Sequence, residues 1–208
     1  MSTPPSARDE ILARIRTSLG DRTSTVEIPR DYHRTGGSPV GSPELLELLT
    51  DRLVDYKATV HRATPADFAA VLASVLESAG RVVVPAGLPD GWAPPAAVVD
   101  DGSLSWAELD AVDTVLTSCT AAAAETGTIV LDGSPDQGRR AVTLIPDRHI
   151  CVVRADQVVR GVPELLGRLD PRRPLTFISG PSATSDIELQ RVEGVHGPRK
   201  LIVVLVSD

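Results

Sequence analysis

The candidates in this sequence for moving protons or attacking a carbonyl carbon are Glu125, His149 and His196. Glu125 stands between four consecutive alanines and a Thr-Gly-Thr run that leads into a Val/Ile/Leu segment. A carboxylate at such a place can act as a nucleophile or a general base, or it can simply cap an element or be solvated. Charged residues seldom lie between apolar segments without a partner or a function, so Glu125 is a candidate catalytic residue. Candidate ligand contacts follow it directly: Thr126, Gly127 and Thr128.

The histidines stand at the ends of predicted elements. His149 begins an apolar, strand-like run, and His196 lies in the segment Gly194-Val-His-Gly-Pro198. Imidazole titrates near neutral pH, which suits an acid or base catalyst, although a structural histidine bonded to the backbone is the alternative. A metal site would need both histidines together with Glu125 or Asp186. No ligand spacing such as HExxH supports one, and no metal is predicted.

The stretch from Leu175 to Val206 contains a loop with the features of an anion site. An apolar run ends at Ile178, a Gly/Pro/Ser turn cluster follows, and Ser185 to Glu188 fits a capping box that opens a helix. The free N–H groups of a helix N-terminus suit a phosphate or carboxylate, whereas the alternative is a tight turn and a cap without a ligand. The candidate ligand contacts here are Ser179, Gly180, Ser182, Thr184, Ser185 and Asp186.

Arginines flank these loops at three positions, Arg139, Arg140 and Arg199. A guanidinium can clamp a carboxylate or phosphate through two parallel hydrogen bonds. Solvated arginines and surface ion pairs are the common alternative. Arg199 follows the Gly-Pro pair of the opening stretch and is included among the candidate ligand contacts. No GxGxxG, GxxxxGK[ST] or GxSxG pattern is present, so nucleotide binding and serine-hydrolase chemistry are not indicated.

Composition argues against several classes of partner. The 208-residue chain has a formal net charge of −7, whereas nucleic-acid binding needs clustered Lys and Arg. Its two cysteines, Cys119 and Cys151, lie in or beside apolar runs, form no CxxC pair and are predicted to be buried free thiols. No apolar run is long enough to span a membrane, and no export signal precedes the first helix. The sequence predicts a cytoplasmic protein that binds no cofactor itself.

The elements that must position these residues begin with an amphipathic helix from Ser6 to Leu19, which Gly20 ends. Residues 21–42 are rich in Arg, Thr, Pro and Gly and predict an extended linker or a lid. We therefore expect an N-terminal helix with its linker over 1–42 and one α/β domain over 43–208. A homo-oligomer is left open, in which residues 21–42 pack on a neighbour rather than close over a cleft.

Within the second region, helices alternate with Val/Ile/Leu runs, beginning with a strand–helix–strand unit from Thr59 to Pro85. This pattern predicts an α/β class with a mostly parallel sheet covered by helices on both faces. Further predicted elements are an alanine-rich helix at Thr120–Glu125 and strands at Thr126–Leu131, Val142–Ile145 and His149–Val153. Ligands of such sheets bind beyond the carboxyl ends of the strands, where we expect the loops after Thr117, Leu131 and Ile178 to meet in one cleft.

Three ordered motifs give a more specific indication: AETGTIVLDG at Ala124–Gly133, IPDRHICVV at Ile145–Val153, and FISGPSATSDIE followed by GVHGPR within Phe177–Arg199. Together they resemble the lactate-utilisation protein C family, also called the LUD domain family. The resemblance implies a Rossmann-like fold of the superfamily of sugar-phosphate isomerases and coenzyme A transferases (NagB/RpiA/CoA transferase-like). It also implies a role in oxidising L-lactate to pyruvate with cysteine-rich partner proteins that carry iron–sulfur clusters.

Three hypotheses follow from the sequence. The first is a subunit of a cytoplasmic lactate-oxidising system that binds a small carboxylate or phosphate. The second is a free-standing transferase-like or isomerase-like enzyme with Glu125 as nucleophile or base and an anion held by the loop from Ser179 to Ser185. The third is a binding module that responds to a small anion without catalysis.

Overall fold

A computed structural model of the chain describes residues 6–20, 27–32, 34–184, 192–194 and 196–207, without the side chains of 183, 184, 192 and 193. The chain divides into two compact units, Met1–Tyr32 and His33–Asp208. Helix α1, Ala7–Leu19, forms in the first unit and confirms the predicted N-terminal helix. It begins after Ser6, whose hydroxyl accepts a hydrogen bond from the Asp9 N–H at 3.2 Å. The expected domain boundary after residue 42 stays a prediction.

The second unit contains four helices and twelve strands within the described ranges. The helices are α2 Pro43–Asp55, α3 Phe68–Glu77, α4 Trp106–Asp110 and α5 Val162–Leu166. The first strands are β1 Thr59–Ala63, β2 Val82–Pro85, β3 Val98–Asp100, β4 Thr114–Thr117, β5 Ala121–Ala123 and β6 Thr128–Leu131. The others are β7 Arg148–Arg154, β8 Val158–Val159, β9 Thr176–Ile178, β10 Ala183–Thr184, β11 Val192–Glu193 and β12 Lys200–Val206.

Six strands form a parallel sheet in the order β1-β12-β7-β4-β2-β3. Residues of β7 pair with β4 on one side and with β12 on the other, so that Cys151 has Thr117 and Val203 as its register partners. The central strands are buried on both faces, which explains their continuous Val/Ile/Leu composition. The predicted α/β class with a parallel sheet is therefore confirmed, whereas the relation to isomerases and coenzyme A transferases stays a prediction.

Alternate residues of the central strands pack against different layers. Ile150 and Val152 contact the core beneath α3, whereas Cys151 and Val153 face α2 and a second sheet. On the α2 side, leucines at helical spacing such as Leu49 are fully buried. Burying one such side chain contributes about 1.5 to 3 kcal/mol to folding, so the row of buried leucines on α2 is a main source of stability for this side of the sheet. Both cysteines are buried and free, as predicted.

The second sheet is mixed and has the order β8-β5-β6-β9. Strand β5 runs parallel to β8, and β6 runs antiparallel to both β5 and β9. One face joins the α2 core, and the other face packs under Leu165 of α5. This sheet was not predicted from the sequence. No helix in the described parts of the chain is long and apolar enough to cross a membrane.

Two predicted elements are wrong. The predicted helix Thr120–Glu125 is instead strand β5 followed by a tight turn. Its alanines are fully buried and point alternately to the two faces of the second sheet. Alanine favours helices in isolation, but here tertiary packing overrides that preference, since these small side chains are fully enclosed. The predicted strand Val142–Ile145 is a series of turns, in which Val142 N–H donates to the Arg139 carbonyl at 3.0 Å and Ile145 N–H to the Ala141 carbonyl at 3.1 Å.

Candidate functional site

A cleft of about 250 Å³ lies where the second sheet meets the amino end of the parallel sheet. His149 and Leu201 line it and are register partners as the second residues of β7 and β12. The expectation of a site at the carboxyl ends of the strands is therefore wrong for this cleft. The remaining lining comes from three segments. Arg140 and Thr143 follow β6, residues 176–182 comprise β9 and the loop after it, and residues 196–198 precede β12.

His149 is almost completely buried, with 1% of its surface exposed. Its Nε2 lies 2.8 Å from the hydroxyl oxygen of Thr117, and that hydroxyl donates to the Ser118 carbonyl at 2.8 Å. Burial, followed by the positive charge of Arg140, lowers the pKa of His149 from 6.5 to about 4. The imidazole is therefore neutral at pH 7, which makes it a hydrogen-bonding group rather than a cation.

Arg140 brings the positive charge to the cleft. Its Nη1 donates to the hydroxyl of the buried Thr143 at 3.2 Å. Loss of hydration lowers the pKa of the guanidinium from its ordinary value, although the side chain as a whole keeps contact with solvent. Within the described ranges, no carboxylate lies within ion-pair distance of Arg140. A partly desolvated cation with no carboxylate partner among the described residues is suited to bind an anion that enters the cleft.

The loop that carries Arg140 is held by buried polar contacts. Gln137 is 2% exposed, accepts a hydrogen bond from the Asp132 N–H at 2.7 Å and donates to the Thr120 hydroxyl at 2.9 Å. The Asp132 carboxylate accepts from the backbone and hydroxyl of Ser134, which closes a local turn. These contacts fix the loop to β6 and to the start of β5, so Arg140 is presented from a rigid support.

Ser182 joins two loops that line the cleft, residues 179–182 and 196–198. Its N–H donates to the Pro198 carbonyl at 2.8 Å, and its carbonyl accepts from the Gly194 N–H at 2.9 Å. The hydroxyl oxygen of Ser182 accepts from the His196 N–H at 3.1 Å. Because the Ser182 hydroxyl acts as an acceptor in that bond, its proton remains available for an acceptor in the cleft. The His196 side chain is exposed beside it.

A row of hydroxyl groups leads to the edge of the cleft. The hydroxyl oxygens of Thr126 and Thr128 are 2.8 Å apart, and that of Thr128 is 2.8 Å from that of Ser179. Ser179 lines the cleft, so the predicted Thr-Gly-Thr run is connected to it through hydrogen bonds rather than by direct contact. Gly180, which also lines the cleft, packs against α2: a Cβ added there would lie 2.7 Å from the Cβ of Tyr56.

The structure does not bring Glu125 to the cleft. Glu125 lies in the turn between β5 and β6, where its carboxylate pairs with Nε of Arg160 at 2.9 Å. Arg160 also donates to the Ser38 hydroxyl at 2.8 Å. Glu125 and Arg160 border a separate cavity of about 130 Å³. An exposed, ion-paired carboxylate is not arranged as a nucleophile, and Gly127 beside it has a packing role against Arg52 of α2.

The other predicted contacts divide into two groups. Arg199 pairs with Asp147 and does not line the cleft, and Arg139 forms a two-pronged ion pair with Asp100 at 2.9 and 3.0 Å. Of the three flanking arginines, Arg140 alone therefore lines the cleft. Thr184 belongs to β10 through its backbone. Ser185 and Asp186, with the predicted capping box to Glu188, lie outside the described residues.

Sequence reasoning did not identify Thr117 and Thr143 as site residues. A signal for Thr117 was present, because a hydroxyl that ends an otherwise apolar strand must find a buried partner. Its partner is His149, which lies 32 positions further along the chain. Nothing in the sequence distinguishes Thr143, since its segment was expected to be a strand. In the described part of the chain, no cluster of three His, Cys, Asp or Glu side chains is placed to hold a metal ion.

Comparison with known proteins gives consistent matches. The LUD domain family matches residues 105–206. Lactate utilization protein C of Deinococcus radiodurans is 50% identical over 176 residues, which cover 82% of this chain and 83% of that protein. Lactate utilization protein C of Bacillus subtilis is 38% identical over 96 residues, or 41% of this chain and 38% of that protein. The crystal structure of a DUF162 family protein from Deinococcus radiodurans superposes with a TM-score of 0.67 and 43% identity, covering 79% of this chain and 97% of that one.

Proposed function

Because the chain belongs to the lactate utilization protein C family, we propose that it takes part in the utilisation of lactate and that its cleft binds the small carboxylate of that process. The observation that supports this assignment most directly is Arg140. It is the only Arg, Lys, Asp or Glu among the described residues that line the cleft, and its charge has no carboxylate partner there.

In this proposal, Arg140 holds the carboxylate through parallel N–H donors, as guanidinium groups do with planar anions. The Ser182 hydroxyl, which accepts from the His196 N–H, uses its own proton to donate a further hydrogen bond to the carboxylate. His149 stays neutral and contributes no competing charge. Apolar contact with the carbon chain comes from Ile178 and Leu201. The cleft is thus a site for a compact monocarboxylate with one charged end.

Oxidation of lactate to pyruvate removes two electrons and two protons, which an acceptor must take up. The two cysteines of the chain cannot complete the usual four-cysteine ligand set of an iron–sulfur cluster. Following what the family resemblance implies, we propose that the electron acceptor lies on cysteine-rich partner proteins that carry iron–sulfur clusters, within a cytoplasmic system. The chain itself would bind and orient the carboxylate.

A binding measurement with purified protein tests the carboxylate site. Titration with L-lactate by NMR or calorimetry should show saturable binding, and Arg140→Gln should weaken it by about 10 to 100 fold, because a charge-assisted hydrogen bond contributes roughly 1.5 to 3 kcal/mol. Arg62→Gln is the matched control, since Arg62 pairs with Glu47 and lies outside the cleft lining. Equal lactate affinity in Arg140→Gln and wild type would show that the assigned site is wrong.

A genetic experiment tests the process. A strain without the gene should fail to grow on L-lactate as sole carbon source, and growth should return with wild type or Arg62→Gln but not with Arg140→Gln. Copurification of a tagged chain from lactate-grown cells should bring down proteins with bound iron. Growth of the deletion strain at the normal rate would contradict the role in lactate utilisation, and copurification without iron-containing proteins would contradict the assigned partners.

A further inference from the structure

His149 is positioned for a task that the carboxylate site alone does not require. Its ring lines the cleft, but only one of its two nitrogens has a protein partner within the described residues: Nε2 faces the Thr117 hydroxyl at 2.8 Å. A buried imidazole with one unpaired nitrogen is costly unless a ligand or water completes it.

The Thr117 hydroxyl is the hydrogen-bond partner that bears on which nitrogen carries the proton. A hydroxyl has one proton to donate, and Thr117 donates it to the Ser118 carbonyl at 2.8 Å. In that arrangement its oxygen accepts from His149, so Nε2 is the protonated nitrogen and Nδ1 bears a lone pair; in the alternative arrangement Thr117 donates to Nε2 and Nδ1 carries the proton.

Nδ1 is also accessible from the cleft. Among the described residues, Oγ of Ser42 is the only fully enclosed side-chain oxygen or nitrogen without a hydrogen-bond partner. Nδ1 also has no partner in the described part of the chain and is not one of these enclosed atoms, so it retains contact with the space that the ring of His149 lines. The cleft thus contains a cation in Arg140, a hydroxyl donor in Ser182 and one buried acceptor.

We propose that Thr117 is a positioning residue that holds His149 in the Nε2–H form, so that Nδ1 accepts a hydrogen bond from the hydroxyl of a 2-hydroxycarboxylate whose carboxylate is bound by Arg140. The inference rests on the proposed carboxylate site and specifies which acids it selects. An unsubstituted acid leaves Nδ1 unpaired, and a 2-oxo acid directs an oxygen lone pair at it. The low pKa of His149 is consistent with this role, because the ring keeps its lone pair at neutral pH.

The first test uses the wild-type protein and three probes of nearly equal size, L-lactate, pyruvate and propionate, at pH 7 and constant ionic strength. L-lactate should bind about tenfold more tightly than either other acid, the effect of one buried acceptor that is satisfied or left unpaired. In long-range proton–nitrogen NMR spectra, His149 should show protonated Nε2 and bare Nδ1, and only L-lactate should move the Nδ1 resonance.

Variants separate positioning from folding. Thr117→Val should produce a mixture of the two His149 tautomers and reduce the preference for lactate over propionate towards one, whereas Thr117→Ser should restore both properties. Thr114→Val is the matched control, because Thr114 is also a buried threonine of β4 but donates to the Ala79 carbonyl. The control should keep the wild-type tautomer and preference.

The outcomes distinguish the two proposals. Equal binding of lactate and propionate overturns the selection by His149 while the carboxylate site stands. A protonated Nδ1 in the free protein also overturns it. If none of the three acids binds, the proposed carboxylate site fails and the selection fails with it. These readings need only the wild-type protein, so they hold even if Thr117→Val does not fold.

Discussion

The burial of His149 predicts a specific loss of stability in mild acid. In the folded protein its pKa is lowered from 6.5 to about 4, whereas in the unfolded chain it has its ordinary value. Between these two values the unfolded state binds a proton that the folded state does not, so the free energy of unfolding falls as pH falls. One pKa unit corresponds to about 1.4 kcal/mol, which sets a ceiling of about 3 kcal/mol for the full effect. From pH 7 to pH 5 the expected loss from this residue is about 2 kcal/mol.

The carboxylates do not obscure this window. Burial raises the pKa of Asp132, but hydrogen bonds from Ser134 and Thr120 outweigh it and leave this pKa lowered; the hydrogen bond from the Gly36 N–H lowers the pKa of Glu164. Their stabilising contributions are therefore lost mainly below their ordinary values of 3.8 and 4.5. Urea unfolding at pH 7 and pH 5 therefore isolates the histidine when wild type is compared with His149→Gln. The variant should be less stable at pH 7 but should lose about 2 kcal/mol less than wild type between the two pH values.

Leu49→Ala is a control for destabilisation as such, because Leu49 is fully buried and carries no titrating group. Its stability at pH 7 should fall by about 2 to 5 kcal/mol, while its loss between pH 7 and pH 5 should equal that of wild type. If wild type and His149→Gln show the same loss, or if NMR titration gives His149 a pKa near 6.5, the inferred burial and neutrality of the ring are refuted.

Three further substitutions test the supports of the cleft. Gly180→Ala should destabilise the protein by about 1 to 3 kcal/mol in urea unfolding, because the added Cβ would lie 2.7 Å from Tyr56 Cβ and φ is +87°. Gln137→Ala should cost about 1 to 3 kcal/mol and weaken lactate binding, because it removes two buried hydrogen bonds from the loop that presents Arg140. Glu125→Gln should leave lactate affinity unchanged and cost at most about 1 kcal/mol, as expected for an exposed ion pair.

Each of these has a matched comparison. Gly91 has φ +80° with nothing within 4 Å of an added Cβ, so Gly91→Ala measures the backbone cost alone and should be milder than Gly180→Ala. Equal costs would contradict close packing as the reason for Gly180. Unchanged lactate affinity in Gln137→Ala would show that the loop does not depend on this anchor. A large loss of lactate affinity in Glu125→Gln would restore Glu125 as a site residue.

The parallel sheet was predictable because its central strands are buried on both faces and so read as continuous apolar runs. The second sheet was not predictable, because β5 consists only of alanines, whose preference without a tertiary context is helical. The fully buried methyl groups of Ala122 and Ala124 join the α2 core that includes Leu49 and Val153. The helical preference of alanine gave the wrong secondary structure at a position where small side chains pack between layers of the fold.

The charged residues of the candidate site could not be identified from the sequence for a similar reason. Sequence alone does not distinguish Arg139, Arg140 and Arg199 as ligand contacts, because their ion-pair partners are brought to them only in the folded chain. Asp100 is 39 positions before Arg139, and Asp147 is 52 positions before Arg199.

Arg140 therefore differs from Arg139 and Arg199 through its lack of an ion pair among the described residues. The other two arginines are already bound to carboxylates that could otherwise have paired with Arg140. Asp100 is held by Arg139 in a two-pronged pair, and Asp147 is held by Arg199, so these two carboxylates already have cationic partners. The charge of Arg140 is then satisfied by water or by an anion in the cleft, and the cost of partial dehydration favours the anion. An anion site of this kind is made by the ion pairs around it as much as by the residue that binds, which explains why no motif in the sequence identifies it.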